Sequence, residues 1–191
     1  MKTSRVKKRS PPTRRNANSL LTALVWGSAG GLGGVFAMDR FTSLAMHRKS
    51  EPKRSLPYSL QEWDATTRIA DLTACWMTGR KLRQKEMKTG AAIVHHTTGV
   101  TAGALYGALV YRSTAIAQSR IVSALAGIGF GVGLWYVGDE WLLPALGVLK
   151  RGDYTTGMRI EALVAHAAYG AATALLYRKL TATSAEAECG S

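Results

Sequence analysis

The chain has 191 residues, 47% of them hydrophobic, and 25 Lys and Arg against 12 Asp and Glu, for a formal net charge of +13. Its two cysteines, Cys75 and Cys189, have neither a CxxC spacing nor a histidine pair nearby, which argues against a disulfide framework or a structural metal and leaves both as free thiols. The basic balance does not read as nucleic-acid binding, because the N-terminal basic run lacks interleaved aromatics and no helix-turn-helix or zinc pattern follows it.

Mean hydropathy is close to zero, but the charge is segregated. Seven Lys and Arg lie in residues 1–15 and eleven between Arg40 and Lys88, with seven spread over the remainder. Between them lie apolar, Gly/Ala-rich stretches at 20–38, 89–111, 121–138 and 160–177. A bilayer core about 30 Å thick takes roughly 20 apolar helical residues to cross. The expected fold is therefore all-α: an integral membrane bundle of about four Gly/Ala-rich transmembrane helices plus one extramembrane helix. The organisation expected is a disordered basic tail at 1–18, a membrane domain at 19–180 with a polar helical loop at 40–88, and a disordered tail at 181–191.

Residues 1–19 are basic and free of acids, like a signal n-region. The apolar run behind them continues to Met38, and the small residues Ser28-Ala29-Gly30 fall in its middle, so the segment reads as an uncleaved first span. Its glycines would weaken a soluble helix by nearly 1 kcal/mol each; in a membrane, Gly27/Gly31 and Gly30/Gly34 are pairs that let backbones approach. Pro52 and Pro57 open the polar loop, after which 59–86 can form a helix supported by an Asp64–Arg68 pair, with Trp63, Ala70, Ala74 and Met77 on one face. The second span places Gly99, Gly103 and Gly107 at strict four-residue spacing, the clearest helix-packing signal in the chain. The third carries Gly127, Gly129, Gly131 and Gly133, two overlapping pairs of which Gly127 and Gly131 are taken as packing residues. Asp139-Glu140 then interrupts an apolar run that resumes with Pro144 inside it. The helix either continues through the acids and kinks near Pro144, or ends there. The fourth span reaches length only by including Glu161 and its neighbours. His96, Gly99 and Tyr106 are echoed by His166, Gly170 and Tyr177, which suggests an internal repeat, inverted or parallel.

Charge does not orient the bundle. With four crossings the two sides carry eleven and fourteen Lys and Arg; if the first segment does not cross, the split becomes 21 against 4. Four spans with cytoplasmic ends is the expectation retained.

Ionisable groups at membrane depth are costly and mark candidate sites. They are His95, His96, Asp139, Glu140, Glu161 and His166. Read functionally, they form a polar cluster of histidine proton acceptors with acidic partners, responsive to pH or a cation. Read structurally, His96 and His166 hydrogen-bond across a helix interface and the acids are solvated or cap helix ends. Adjacent histidines point about 100° apart on a helix, so His95 and His96 cannot both face one point. No HExxH, His-x-x-x-His or nucleophile motif occurs, and no metal, cofactor or catalytic residue is assigned.

The stretch Leu134-Trp135-Tyr136-Val137-Gly138-Asp139-Glu140-Trp141-Leu142-Leu143-Pro144-Ala145-Leu146-Gly147 resembles the Trp–Asp-Glu–Pro-Ala-Leu-Gly segment of the YagU-like family, bacterial inner-membrane proteins with a domain of unknown function. His95-His96 with Gly99, Gly103 and Tyr106-Gly107 is similar to that family's histidine-and-glycine span, and Glu161, His166 and Tyr169-Gly170 to its last span. Glu51-Pro52-Lys53-Arg54 sits where its proline- and arginine-rich loop is expected. The resemblance implies a helical inner-membrane bundle; the family has no established catalytic activity to transfer, so the chemistry stays open. The functional expectation is a non-enzymatic inner-membrane protein, pH- or cation-responsive through the His/acid cluster. The alternative is a small proton- or cation-linked transporter or channel with the cluster in its path. The expected partners are membrane lipids, anionic ones through the basic tail and loop, and a homo-oligomer; nucleic acid is not one.

Overall fold

The computed structural model describes residues 20–48, 65–149 and 155–190; the basic tail at 1–18, Trp63 and Asp64 lie outside them. Among the described residues the chain is helical throughout, without strands. The helices are α1 (Leu20–Arg48), α2 (Ala65–Thr78), α3 (Gln84–Val110), α4 (Thr114–Gln118), α5 (Arg120–Trp135), a π-helical segment (Tyr136–Leu142), α6 (Leu143–Ala145) and α7 (Thr156–Gly190). α7 runs through 181–190, a stretch the sequence reading sets aside as a tail.

Among the described residues, three helical segments are long and apolar enough to cross a membrane: Leu20–Leu44, Arg120–Ala145 and Thr156–Ser184. The fourth expected span, 89–111, falls on α3, which is not in that set. Its His95-His96-Thr97-Thr98 run and Thr101 dilute an otherwise apolar helix.

The polar loop differs from the single helix expected over 59–86. A break at Gly79–Arg83 separates α2 from α3, which begins at Gln84 rather than at Thr89. Gly79 takes φ +70° and its N–H donates to the Cys75 carbonyl at 2.9 Å, the left-handed stop that only glycine adopts without strain. α3 then starts on half of a capping box: the Arg83 N–H donates to Glu86 Oε2 at 2.8 Å.

Beyond α5 the helix runs through Asp139 and Glu140 as a π turn. Pro144 has no N–H to offer the Glu140 carbonyl, and the wider register puts the Leu143 N–H on the Gly138 carbonyl instead. A Schellman motif ends α6: the Val148 N–H donates to the Leu143 carbonyl (2.9 Å) and the Gly147 N–H to the Pro144 carbonyl (3.1 Å). Val148 and Leu149, just past it, are buried.

The bundle is built from two hairpins that use glycine in the same way. α1 runs antiparallel to α3, and a Cβ at Gly27 would meet the Gly103 carbonyl oxygen, one at Gly31 the Gly99 oxygen, and one at Gly107 the Ala23 oxygen. α5 runs antiparallel to α7, with Gly127 against the Gly170 carbonyl and Gly131 against that of His166. α1 also packs along α7, so the order across the bundle is α3, α1, α7, α5. The hairpins point the same way, as a parallel repeat would. The packing equivalent of Gly99 is His166, however, one turn from the Gly170 that the sequence echo pairs with it. Both expected packing sets, Gly99, Gly103 and Gly107 on α3 and Gly127 and Gly131 on α5, sit in these seams. Gly129 and Gly133 face away, with nothing within 4 Å of a Cβ at either.

At the end of the bundle away from the π turn, Tyr106 is 1% exposed and fills the centre. It packs edge-to-face on Phe130 (5.2 Å between centroids) and Tyr177 (5.9 Å). Ser123, fully buried, donates to the Ala174 carbonyl at 3.2 Å.

Candidate functional site

The glycine seams fix the relative register of each hairpin, and that register brings acids to bases. Gly31 lies between Gly99 and Gly103. Eight residues on along α1, at Asp39, the antiparallel partner is eight residues back from Gly103, at His95. There His95 Nε2 approaches Asp39 Oδ1 at 3.1 Å, with the two side chains 28% and 49% exposed. Gly131 likewise lies between His166 and Gly170. Nine residues on is Glu140, and it meets Arg159 of α7 through two contacts, Nε donating to Oε1 at 2.8 Å and Nη2 to Oε2. This forked geometry orients both groups.

His95 and His96 are neighbours on α3 with rings edge-to-face, 5.7 Å between centroids. They look in different directions, as helical geometry requires. His96 sets its ring edge-on to Phe36 of α1 at 5.9 Å and its Nδ1 lies 2.9 Å from the Ala92 carbonyl. His166 repeats this on α7, with Nδ1 2.9 Å from the Ala162 carbonyl. A carbonyl only accepts, so this partner assigns the proton to Nδ1 in both and leaves Nε2 as the acceptor. The bonds are local, one turn back within each helix, and differ from the cross-helix histidine bond expected as the structural alternative.

His96 and His166 stand at one level. Tyr169, 3% exposed, donates its hydroxyl to the Gly99 carbonyl at 2.6 Å, tying α7 to α3. Each histidine lies three residues before that tie on helices running the same way. Asp139 and Glu161 flank the Glu140–Arg159 pair and are half-buried. No group of three His, Cys, Asp or Glu is placed to hold a metal ion among the described residues. Of the six candidates, two therefore enter ion pairs, one per hairpin: His95, beside His96, meets Asp39, and Glu140 meets Arg159.

Asp39 and Arg159 are the members that sequence reasoning missed. Asp39 reads as a stop at the end of the first span, and Arg159 as a flank of the last. Counting eight residues outward from the facing Gly31 and Gly103 is the signal that would have found Asp39; the same count does not single out Arg159, which lies eleven residues from Gly170 where Glu140 lies nine from Gly131. No protein-family profile, curated protein or solved structure matches the chain.

Proposed function

We propose that this chain is a non-enzymatic multi-pass protein of the bacterial inner membrane, crossing four times, in which the α1–α3 packing responds to pH through His95 and Asp39. Three helices apolar enough to cross support the membrane placement. The fourth crossing is supported by the close glycine seam that α3 shares with α1. The resemblance of residues 134–147 to the YagU-like family supports the bacterial inner membrane.

The observation that carries the pH response is the 3.1 Å His95–Asp39 contact between two helices. Histidine is the side chain that ordinarily changes charge between pH 5 and 8. Protonated His95 makes a charge-assisted bond to Asp39, roughly twice as strong as a neutral one. His96 is the other titratable ring beside it, and its proton at Nδ1 is already engaged by Ala92. On this reading the charged imidazole holds the end of the α1–α3 hairpin more firmly than the neutral one.

The test is the stability of the reconstituted protein toward denaturing detergent between about pH 5.5 and 8. The wild type is expected to be more stable at the acid end, and Asp39→Asn and His95→Asn to flatten the profile. A wild-type profile that both variants share would refute the reading. Proton or cation flux in liposomes that both variants abolish would replace it with the transport alternative.

A further inference from the structure

α2 presents two unlike sides. One is held to the bundle: Ala70 is buried, a Cβ at Gly90 of α3 would lie 3.2 Å from the Ala70 methyl, and Arg68 Nη1 donates to the Val148 carbonyl at 2.5 Å. The Leu82 N–H, in the turn that follows, donates to Asp71 Oδ1 at 2.8 Å. The other side carries Leu72 and Trp76, exposed by 57% and 86%. Met77 keeps the face that its spacing with Ala70 gives it, but in the last turn of α2 it is 70% exposed.

The level of α2 follows from what holds it. Gly90 is two residues from Lys88, the last charge before the apolar part of α3, and Val148 lies three residues past the candidate span Arg120–Ala145. α2 therefore sits where the apolar helices leave the hydrocarbon. An indole there places its apolar body and polar edge across the membrane–water boundary.

The chain that follows α2 is strongly basic. Arg80, Lys81, Arg83, Lys85 and Lys88 are all exposed. The one acid among them, Glu86, is taken up internally: Arg80 forks onto it with bonds of 2.8 and 3.2 Å, and the Arg83 N–H holds the same carboxylate. Arg83, Gln84, Lys85 and Lys88 line an open depression of about 560 Å³. Its lining carries three cations and no acid.

We propose that α2 and this basic turn form a docking surface for anionic phospholipid headgroups, with Leu72 and Trp76 in the headgroup–acyl boundary and Arg83, Lys85 and Lys88 on the phosphates. The inference rests on the membrane-spanning reading above. Apolar side chains beside clustered Lys and Arg at the membrane boundary fit a negatively charged leaflet, which attracts such clusters. A soluble acidic partner would match the charge but would not account for the level of the indole.

The full chain in nanodiscs of phosphatidylcholine, with or without phosphatidylglycerol, provides the test. Lipids brominated near the headgroup end of the chain should quench part of the tryptophan fluorescence, and Trp76→Phe should reduce that part, the remainder including the exposed Trp141 near the end of the Arg120–Ala145 segment. The triple variant Arg83→Gln/Lys85→Gln/Lys88→Gln should lose its enrichment of phosphatidylglycerol, each removed charge weakening it on the order of fivefold at low salt. Unchanged shallow quenching in Trp76→Phe, or unchanged lipid enrichment in the triple variant, would overturn the proposal. So would a Trp76 that stays water-exposed in anionic nanodiscs, the outcome expected for a protein-binding face. Extraction of the wild type by alkaline carbonate would instead refute the membrane-spanning reading itself.

Discussion

Gly131 and Gly129 lie two residues apart on α5 and face opposite ways, so the same substitution at each isolates the packing of α5 on α7. A Cβ at Gly131 would press on the His166 carbonyl oxygen, 2.8 Å from its carbon and 3.2 Å from the Gly170 nitrogen. All of these are backbone atoms, which cannot rotate aside. Carbon contacts ordinarily sit at about 3.5–4.0 Å, so α5 and α7 must separate by about 1 Å. A gap of that size forfeits roughly a quarter to a half of the dispersion energy at each contact it opens, and overpacking of this kind costs about 1–3 kcal/mol. At Gly129 nothing lies within 4 Å of the added methyl. Alanine gains up to about 1 kcal/mol of helix propensity over glycine, but it gains it at both sites and the term cancels. Gly131→Ala should therefore be less stable than Gly129→Ala by about 1–3 kcal/mol. The assay is unfolding by sodium dodecyl sulfate in mixed micelles, followed by tryptophan fluorescence and run dilute enough that copies do not share a micelle. A difference within ~0.5 kcal/mol, the scale of an ordinary surface substitution, would refute the backbone-seam argument.

Tyr169→Phe removes the hydroxyl that ties α7 to the Gly99 carbonyl. It should cost about 0.6 kcal/mol and at most ~1.7, the measured range for hydrogen bonds between membrane helices, in the same unfolding assay. Arg80, by its side-chain bond to Glu86, and then the Arg83 N–H hold the Glu86 carboxyl down at about 2, well below the usual carboxylate range. Whatever this pair adds to the α2–α3 turn is therefore fully present above the ordinary carboxylate pKa and is lost as pH falls through about 2. The carboxyl carbon resonance should titrate there in the wild type and move up toward about 4.3 in Arg80→Gln.

Much of the bundle is visible in the residues themselves. Gly99, Gly103 and Gly107 repeat every four positions, so whatever helix packs there must approach closely, and α1 does so through Gly27 and Gly31. The third span offers two overlapping glycine pairs of identical spacing, and spacing cannot rank them: only the rotation of α5 about its axis turns Gly127 and Gly131 inward and leaves Gly129 and Gly133 outside. The break at Gly79 was open to view as a glycine, but the apolar spacing on either side read as one helix across it. The π turn was likewise foreshadowed by Pro144 without being specified, since a proline four residues past Glu140 can end a helix, kink it or widen it.

The candidate site was legible as a set of expensive residues and not as an arrangement. His95, His96, Glu140 and His166 stand out because apolar segments seldom carry them. Asp39 and Arg159 do not stand out, because an acid or a base at the end of a span is ordinary.

The sequence by itself determined the class of molecule, because segregated charge and long uncharged helices leave few ways to satisfy the backbone and bury the apolar faces. It also determined that those helices would meet backbone to backbone, since glycine at four-residue intervals leaves nothing else on the surface. The tertiary structure decided which acid meets which base. That choice depends on the axial offset between helices far apart in the chain, set to within a fraction of a turn by facing glycines. A shift of one turn, about 5.4 Å, would carry Asp39 past His95 and Glu140 past Arg159.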